Sequence, residues 1–356
     1  MTGAAASPGK DANDRLGRLD GLRGLAACVV AFGYHAQLLL APEDLAASDP
    51  VTGWFFRWGW TFVDLFFLIS GYIFAHVYLT GERLRRPGAL GAFAVARLAR
   101  LYPLHLLMLL VCAALFADEP ANTALAFVAH LFMLQAFVTP AGHTFDGPAW
   151  SLSVEVVCYV LFAAGAAGGE RSLRRMAVAA LAVGLGALAW LGQPGGPWVS
   201  DMLPRGLLGF FTGLLLWRGR ERLARVPAWT LLAALLAALA LPTGAWSPLL
   251  PLALVAWPAA LLLALRWRAL ESSAMRWLGD RSYAIYLVHL PLLAWGVGEF
   301  GPYAGLPRPA VIGGFAALVL VLAELSFRFV ERPARAAIRA AWGKRRGAPT
   351  AVAASG

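Results

Sequence analysis

Apolar stretches near the length that crosses a bilayer recur from Gly21 almost to the end of this chain, and the short links between them gather arginine. A membrane-spanning helix needs ~20 such residues. The expected fold class is therefore an all-α, polytopic membrane protein. Composition agrees: 14% of residues are charged, against ~25% in soluble domains. The net charge of +10 does not imply nucleic acid as a partner. The cations lie in short links, as the positive-inside rule expects, and no soluble face is left to carry them.

Charge and length together place the spans. They are expected near 22–41, 55–80, 98–117, 150–169, 176–192, 202–217, 228–241, 248–265, 282–300 and 310–329. Basic links such as "GERLRRPGALGAFAVARLAR", "GGERSLRRM" and "RGRERLAR" fall on the cytoplasmic side. The links "QPGGPWVSD", "PTGAWSP" and "GPYAGLPRP" fall outside. Residues 124–149 are short in their apolar part for a span and, if the next basic link is cytoplasmic, begin and end outside, so they read as a re-entrant or interfacial helix plus loop. The alternative is a short full span, which breaks the charge rule at Arg171, Arg174 and Arg175. The result is a bundle of about ten transmembrane helices with both termini cytoplasmic. Residues 1–17 are polar and small and are expected to be disordered. Residues 18–335 form the membrane domain and 336–356 a basic cytoplasmic tail. Cys28, Cys112 and Cys158 read as small buried residues. The six histidines show no HExxH pattern, so no metal is expected.

Ionisable groups inside lipid are costly, by ~2.5–3.5 kcal/mol at a helix centre on insertion scales. Those in the expected spans are therefore candidates for a site: His35, Asp64, His105, Glu155, His289 and Glu324. Ser151, Glu155 and Tyr159 recur every four residues on one helix face. Ser282, Tyr286 and His289 share another. Arg97 and Arg100, three apart, lie side by side at the cytoplasmic surface. They are either plain membrane anchors or a phosphate site, since guanidinium groups grip phosphate bidentately. Asp64 either pairs with an arginine, orients a histidine or is shielded structure. Gly71 and Ser70 beside it allow close helix packing.

Six runs together resemble a known family: "RLDGLRGLAACVVAFGYHA", "FVDLFFLISGYIFA", "ARLARLYPLH", "PAWSLSVEVVCYVLF", "RSYAIYLVHLPLL" and "SFRFVERPAR". In this order they resemble the motifs of the acyltransferase 3 family over about residues 18–335. That resemblance implies a bacterial inner-membrane, multi-pass protein of about ten helices that O-acylates cell-surface carbohydrates. Some members carry a further extracytoplasmic hydrolase-like domain; this chain looks like the stand-alone form. The implied donor is acyl-coenzyme A, most often acetyl-CoA, and the implied acceptor a carbohydrate or lipid-linked glycan. The resemblance puts functional weight on Arg23 and His35, on Arg97 and Arg100, and on Trp150, Ser151, Ser153 and Glu155.

One departure from the family pattern carries a structural expectation. The family usually has ten residues between the arginine and the histidine, whereas Gly24 to Tyr34 make eleven here. A separation of eleven positions turns ~1100°, close to three full turns, but twelve positions turn ~1200°, about 120° off that face. His35 can face the same way as Arg23 only through a π-bulge or a bend at Gly33, expected between about Phe32 and His35. On this reading His35 is the general base, an acyl-histidine being the lesser variant. Arg23, Arg97 and Arg100 hold the coenzyme, and Glu155 orients the base or the acceptor. Arg23 and His35 are ~18 Å apart along the helix, a span a pantetheine arm can thread. Two rivals remain at this point. A glycan transporter or flippase also needs polar groups in a bundle, but the inverted repeats common in transporters are absent. A scaffold without chemistry leaves the polar faces unexplained. Acceptor, acyl chain and oligomeric state stay open.

Overall fold

The computed structural model describes residues 8–40, 45, 48–138, 141–191, 199–241, 249–300 and 306–345. Among them there is no strand. Each of the ten expected spans falls on a helix. The first, α1, is Pro8–Cys28 and runs on through a π-helical segment and a 3-10 turn to Leu39. Next come α2 (Pro50–Trp58), α3 (Phe62–Phe74), α4 (Ala89–Leu115) and the short α5 (Ala124–Leu131). They are followed by α6 (Trp150–Ala167), α7 (Glu170–Leu191), α8 (Val199–Arg218) and α9 (Ala228–Ala240). The last are α10 (Leu249–Ala264), α11 (Ser273–Phe300) and α12 (Arg308–Arg345). Six helical stretches of the described residues are long and apolar enough to cross a membrane. The three far-side links fall largely on 192–198, 242–248 and 301–305, outside the described residues.

Two seams of small residues set the bundle. Along α3 and α8, a Cβ on Gly71 would come within 1.8 Å of the Phe210 carbonyl oxygen, and one on Gly213 within 2.0 Å of that of Leu68. Along α1 and α11, a Cβ on Gly279 would meet the Asp20 carbonyl oxygen at 2.4 Å. Lipid offers no hydrophobic drive between helices, so close backbone approach of this kind supplies the packing energy. Polar contacts join the basic links at one end of the bundle. Arg18 pairs with Glu271, Arg218 with Glu170 (2.8 Å), and Arg266 donates to the Val226 carbonyl (2.6 Å).

Residues 1–7 of the segment expected to be disordered lie outside the described residues, and α1 is helical from Pro8. Arg18, within that helix, is held by Glu271 and by the Leu265 carbonyl. The third span, expected from residue 98, starts at Ala89 after Gly88, whose φ of 74° ends the preceding turn. Arg97 and Arg100 therefore lie two to three turns inside a helix instead of at its surface end. The basic tail from 336 continues α12 as helix to Arg345. Trp342 packs there on Gly91 of α4.

Residues 124–149 do not form a straight span. The eight residues of α5 are ~12 Å long, well short of a ~30 Å hydrocarbon core. Thr123 caps α5 by accepting from the Ala126 amide. Three 3-10 turns then lead back to α6. Irregular backbone at membrane depth is tolerated where protein covers it, and the cover is present. His105 Nε2 donates to the His130 carbonyl (2.8 Å), and Gln135 Nε2 to that of Ala149 (2.6 Å).

Candidate active site

The first helix breaks where the extra residue predicts a break. Val29–Tyr34 is π-helical, starting a little earlier than expected, and His35–Leu39 is a 3-10 turn. The wider π turn absorbs the surplus position. Arg23 and His35 consequently address one face of α11. Arg23 Nε donates to Ser282 Oγ (3.0 Å) and its Nη2 to the Gly279 carbonyl (3.2 Å). Two turns further along α11, His35 Nδ1 lies 2.9 Å from His289 Nε2.

The histidine pair has a definite protonation pattern when neutral. His289 Nδ1 lies 3.1 Å from the Ile285 carbonyl oxygen. A carbonyl only accepts, so His289 carries its proton on Nδ1 and offers a lone pair at Nε2. His35 must then donate from Nδ1, which leaves the lone pair on its own Nε2. The assignment follows from the hydrogen-bond partners. An orienting partner that fixes a tautomer is what a histidine base requires.

Two cavities of about 130 and 120 Å³ meet inside the bundle. The first, the basic chamber, is lined by Arg23, Arg97, Arg100, Ser70, Glu155 and Ser282, among others. Arg97 lies over the Phe74 ring (5.0 Å) and its Nε has no partner; Arg100 lies over the Tyr283 ring (5.7 Å) and 3.7 Å from Glu331. The second, the histidine chamber, is lined by Tyr34, His35, Trp60, His143, Trp150 and Arg205, among others. Val63 and Tyr286 belong to both walls. Tyr286 Oη donates to the Pro148 carbonyl (3.0 Å) and accepts from Ser151 Oγ (3.1 Å), so the partition is held to the turn that precedes α6.

The sequence-derived candidates divide between these places. Arg23, Arg97, Arg100, Ser151, Glu155 and Ser282 meet in the basic chamber, and His35 and Trp150 in the other. Glu155 was expected to orient the base or the acceptor. It instead accepts from Ser70 Oγ (2.9 Å) and from Tyr159, on the far side of the partition; His289 makes the contact to His35. Ser153 lines neither chamber and accepts from the Ala136 amide (3.4 Å), fixing a 3-10 turn. Asp64 contacts no histidine; it accepts from Arg205 Nε at 2.8 Å. Glu324 accepts from Arg281 and Trp277 away from both chambers. No group of three His, Cys, Asp or Glu that could hold a metal occurs among the described residues.

Sequence reading missed Arg205, which is 2% exposed. It passed as a residue near a span's end. The signal available was its place four after Asp201 in "DMLPRGLLGF", an ion-forming spacing inside an apolar run.

A helical bundle that encloses two polar chambers among the described residues defines a multi-pass membrane protein. The chain belongs to the acyltransferase 3 family, whose acyltransferase domain it matches over residues 16–324. It is therefore a membrane acyltransferase. It is similar to the Rhizobium radiobacter "Protein 2 in picA locus", 34% identical over 190 residues, covering 46% of this chain and 88% of that protein. A shorter match is to the peptidoglycan O-acetyltransferase OatA of Listeria monocytogenes, 38% identical over 63 residues, 17% of this chain and 10% of that protein. No solved structure matches.

Proposed function

We propose that this enzyme moves an acyl group, acetyl by default, from acyl-coenzyme A to a hydroxyl of a cell-envelope carbohydrate or lipid-linked glycan. In this reading it crosses the bacterial inner membrane ten times, with both termini and the basic end cytoplasmic. The observation that carries the proposal is the histidine pair, whose tautomer leaves His35 with a free lone pair beside a chamber that adjoins a basic one.

Neither cavity is large enough for a whole coenzyme. The nucleotide stays at the basic mouth, where Arg23, Arg97 and Arg100 offer charge-assisted donors to its phosphates. The thin pantetheine arm passes the Val63–Tyr286 partition and brings the thioester to the histidine chamber. There His35 Nε2 takes the proton of the acceptor hydroxyl. The acceptor oxygen bonds to the carbonyl carbon, the carbon–sulfur bond breaks, and the leaving thiolate takes the proton back from His35. Support for an envelope acceptor comes from the match to OatA.

The test uses native membrane vesicles given radiolabelled acetyl-CoA, with label in the envelope glycan as readout. Labelling by wild type and none by His35→Ala is expected. Full labelling by His35→Ala would rule the mechanism out.

A further inference from the structure

The histidine chamber holds a cation that this reaction scheme has not used. Arg205 is buried, and its guanidinium lies between the rings of Trp60 (4.5 Å) and Trp150 (4.9 Å). Its Nε donates to Asp64 Oδ1. Its Nη1 and Nη2 are buried and donate to nothing among the described residues. A guanidinium has five N–H donors, and leaving buried donors unmet is costly. Asp64 balances the charge through Nε, and the indole faces add cation–π attraction. The remaining edge meets no acceptor among the described residues, in a residue that lines the same cavity as His35.

We propose that Arg205 is a catalytic residue whose Nη1 and Nη2 donate to the carbonyl oxygen of the acyl thioester. It holds the negative charge that gathers there during transfer. The inference rests on His35 acting as the base. As the acceptor oxygen bonds to the carbonyl carbon, the C=O π pair moves onto the oxygen, and Arg205 binds that oxyanion. The proton sits on His35 meanwhile, so the chamber gains one positive and one negative charge together. The pair returns as the carbon–sulfur bond breaks, and the thiolate leaves with the proton from His35. The two tryptophans and Asp64 fix the plane of the guanidinium beforehand. Donors preorganised in this way, in a site that excludes water, are worth most. Asp64 is a positioning residue, since it acts through Arg205.

Arg205→Gln alone strands a buried carboxylate, so the informative variants are Arg205→Lys and the neutral pair Asp64→Asn/Arg205→Gln. Each is compared with wild type as full-length protein for melting temperature, CoA binding, acetyl-CoA hydrolysis and label transfer in native vesicles. The expected result is a fall in kcat of about 10²–10³, with KM for acetyl-CoA and CoA affinity changed less than about twofold, and with melting kept. Hydrolysis, which needs the carbonyl but no glycan, falls by the same factor. A neutral pair with wild-type kcat overturns the proposal. So does lost transfer with hydrolysis intact, which would assign Arg205 to the acceptor. His35→Ala separates the two levels. If His35→Ala is inactive while the neutral pair is active, the arginine assignment alone fails. If His35→Ala is fully active, the underlying mechanism fails.

Discussion

The basic chamber presents three arginines, of which Arg23 is shared with Asp20 (2.8 Å) and Arg100 lies near Glu331, while Arg97 is the least engaged. The histidine chamber, one partition away, presents the His35 ring backed by His289, one paired cation and two indoles. The first arrangement suits a polyanion that must bind and leave: strong charge, held loosely. The second suits a reacting centre, where Arg205 Nη1 and Nη2 are left without a partner among the described residues and held in place by the groups around them. On the proposed mechanism, binding and chemistry fall to different physics within one bundle, and mutations should separate them.

The largest effect is expected at His35. His35→Ala should lower kcat by about 10³, within the range for a lost acid–base group, while CoA binding and melting stay as in wild type. If CoA affinity fell as far as kcat, the division between the chambers would be broken. His289 should matter less and in a graded way. His289→Ala removes the acceptor that fixes the His35 tautomer and should cost kcat about 10–100-fold, as removal of an orienting partner does at other histidine sites. His289→Gln, whose amide oxygen can still accept from His35 Nδ1, should recover much of it. Equal losses in both variants would show that the hydrogen bond is not what His289 supplies.

In the basic chamber the sign of the effect changes. Arg97→Ala and Arg100→Ala should each raise KM for acetyl-CoA about tenfold, the scale of a lost charged hydrogen bond, with kcat nearly kept. Raising ionic strength should shrink the difference from wild type, as a salt titration of KM can read. The smallest effect is expected at Ser282→Ala, which frees Arg23 Nε. One neutral hydrogen bond is worth ~1 kcal/mol, so KM should rise only a few-fold. A kcat effect at Ser282 exceeding that at His289 would reverse the assignment of the two ends of α11.

Much of the site was legible before coordinates because helical spacing is rigid. Ser151, Glu155 and Tyr159 had to share a face, as did Ser282, Tyr286 and His289. Counting eleven residues between Arg23 and His35 located the π segment to within a few positions. Arg205 was not legible as a site residue. In the sequence, an arginine near a helix end resembles a membrane anchor, and only the start of α8 at Val199 carries it inward. The partner of His35 lies 254 residues away, and no local rule selects it. The place of Glu155 was not legible either, because a carboxylate on a polar face does not reveal which of two cavities that face borders.

The sequence alone determined that this chain is a helical membrane protein, where its helices lie, and that its first helix cannot stay regular. Those properties follow from apolar length and from 3.6 residues per turn, which need no neighbours. Tertiary structure decided which polar groups share a cavity. The glycine seams fix how closely α1 approaches α11 and α3 approaches α8, and a shift of one turn there, ~5.4 Å, would re-pair His35 and Arg205.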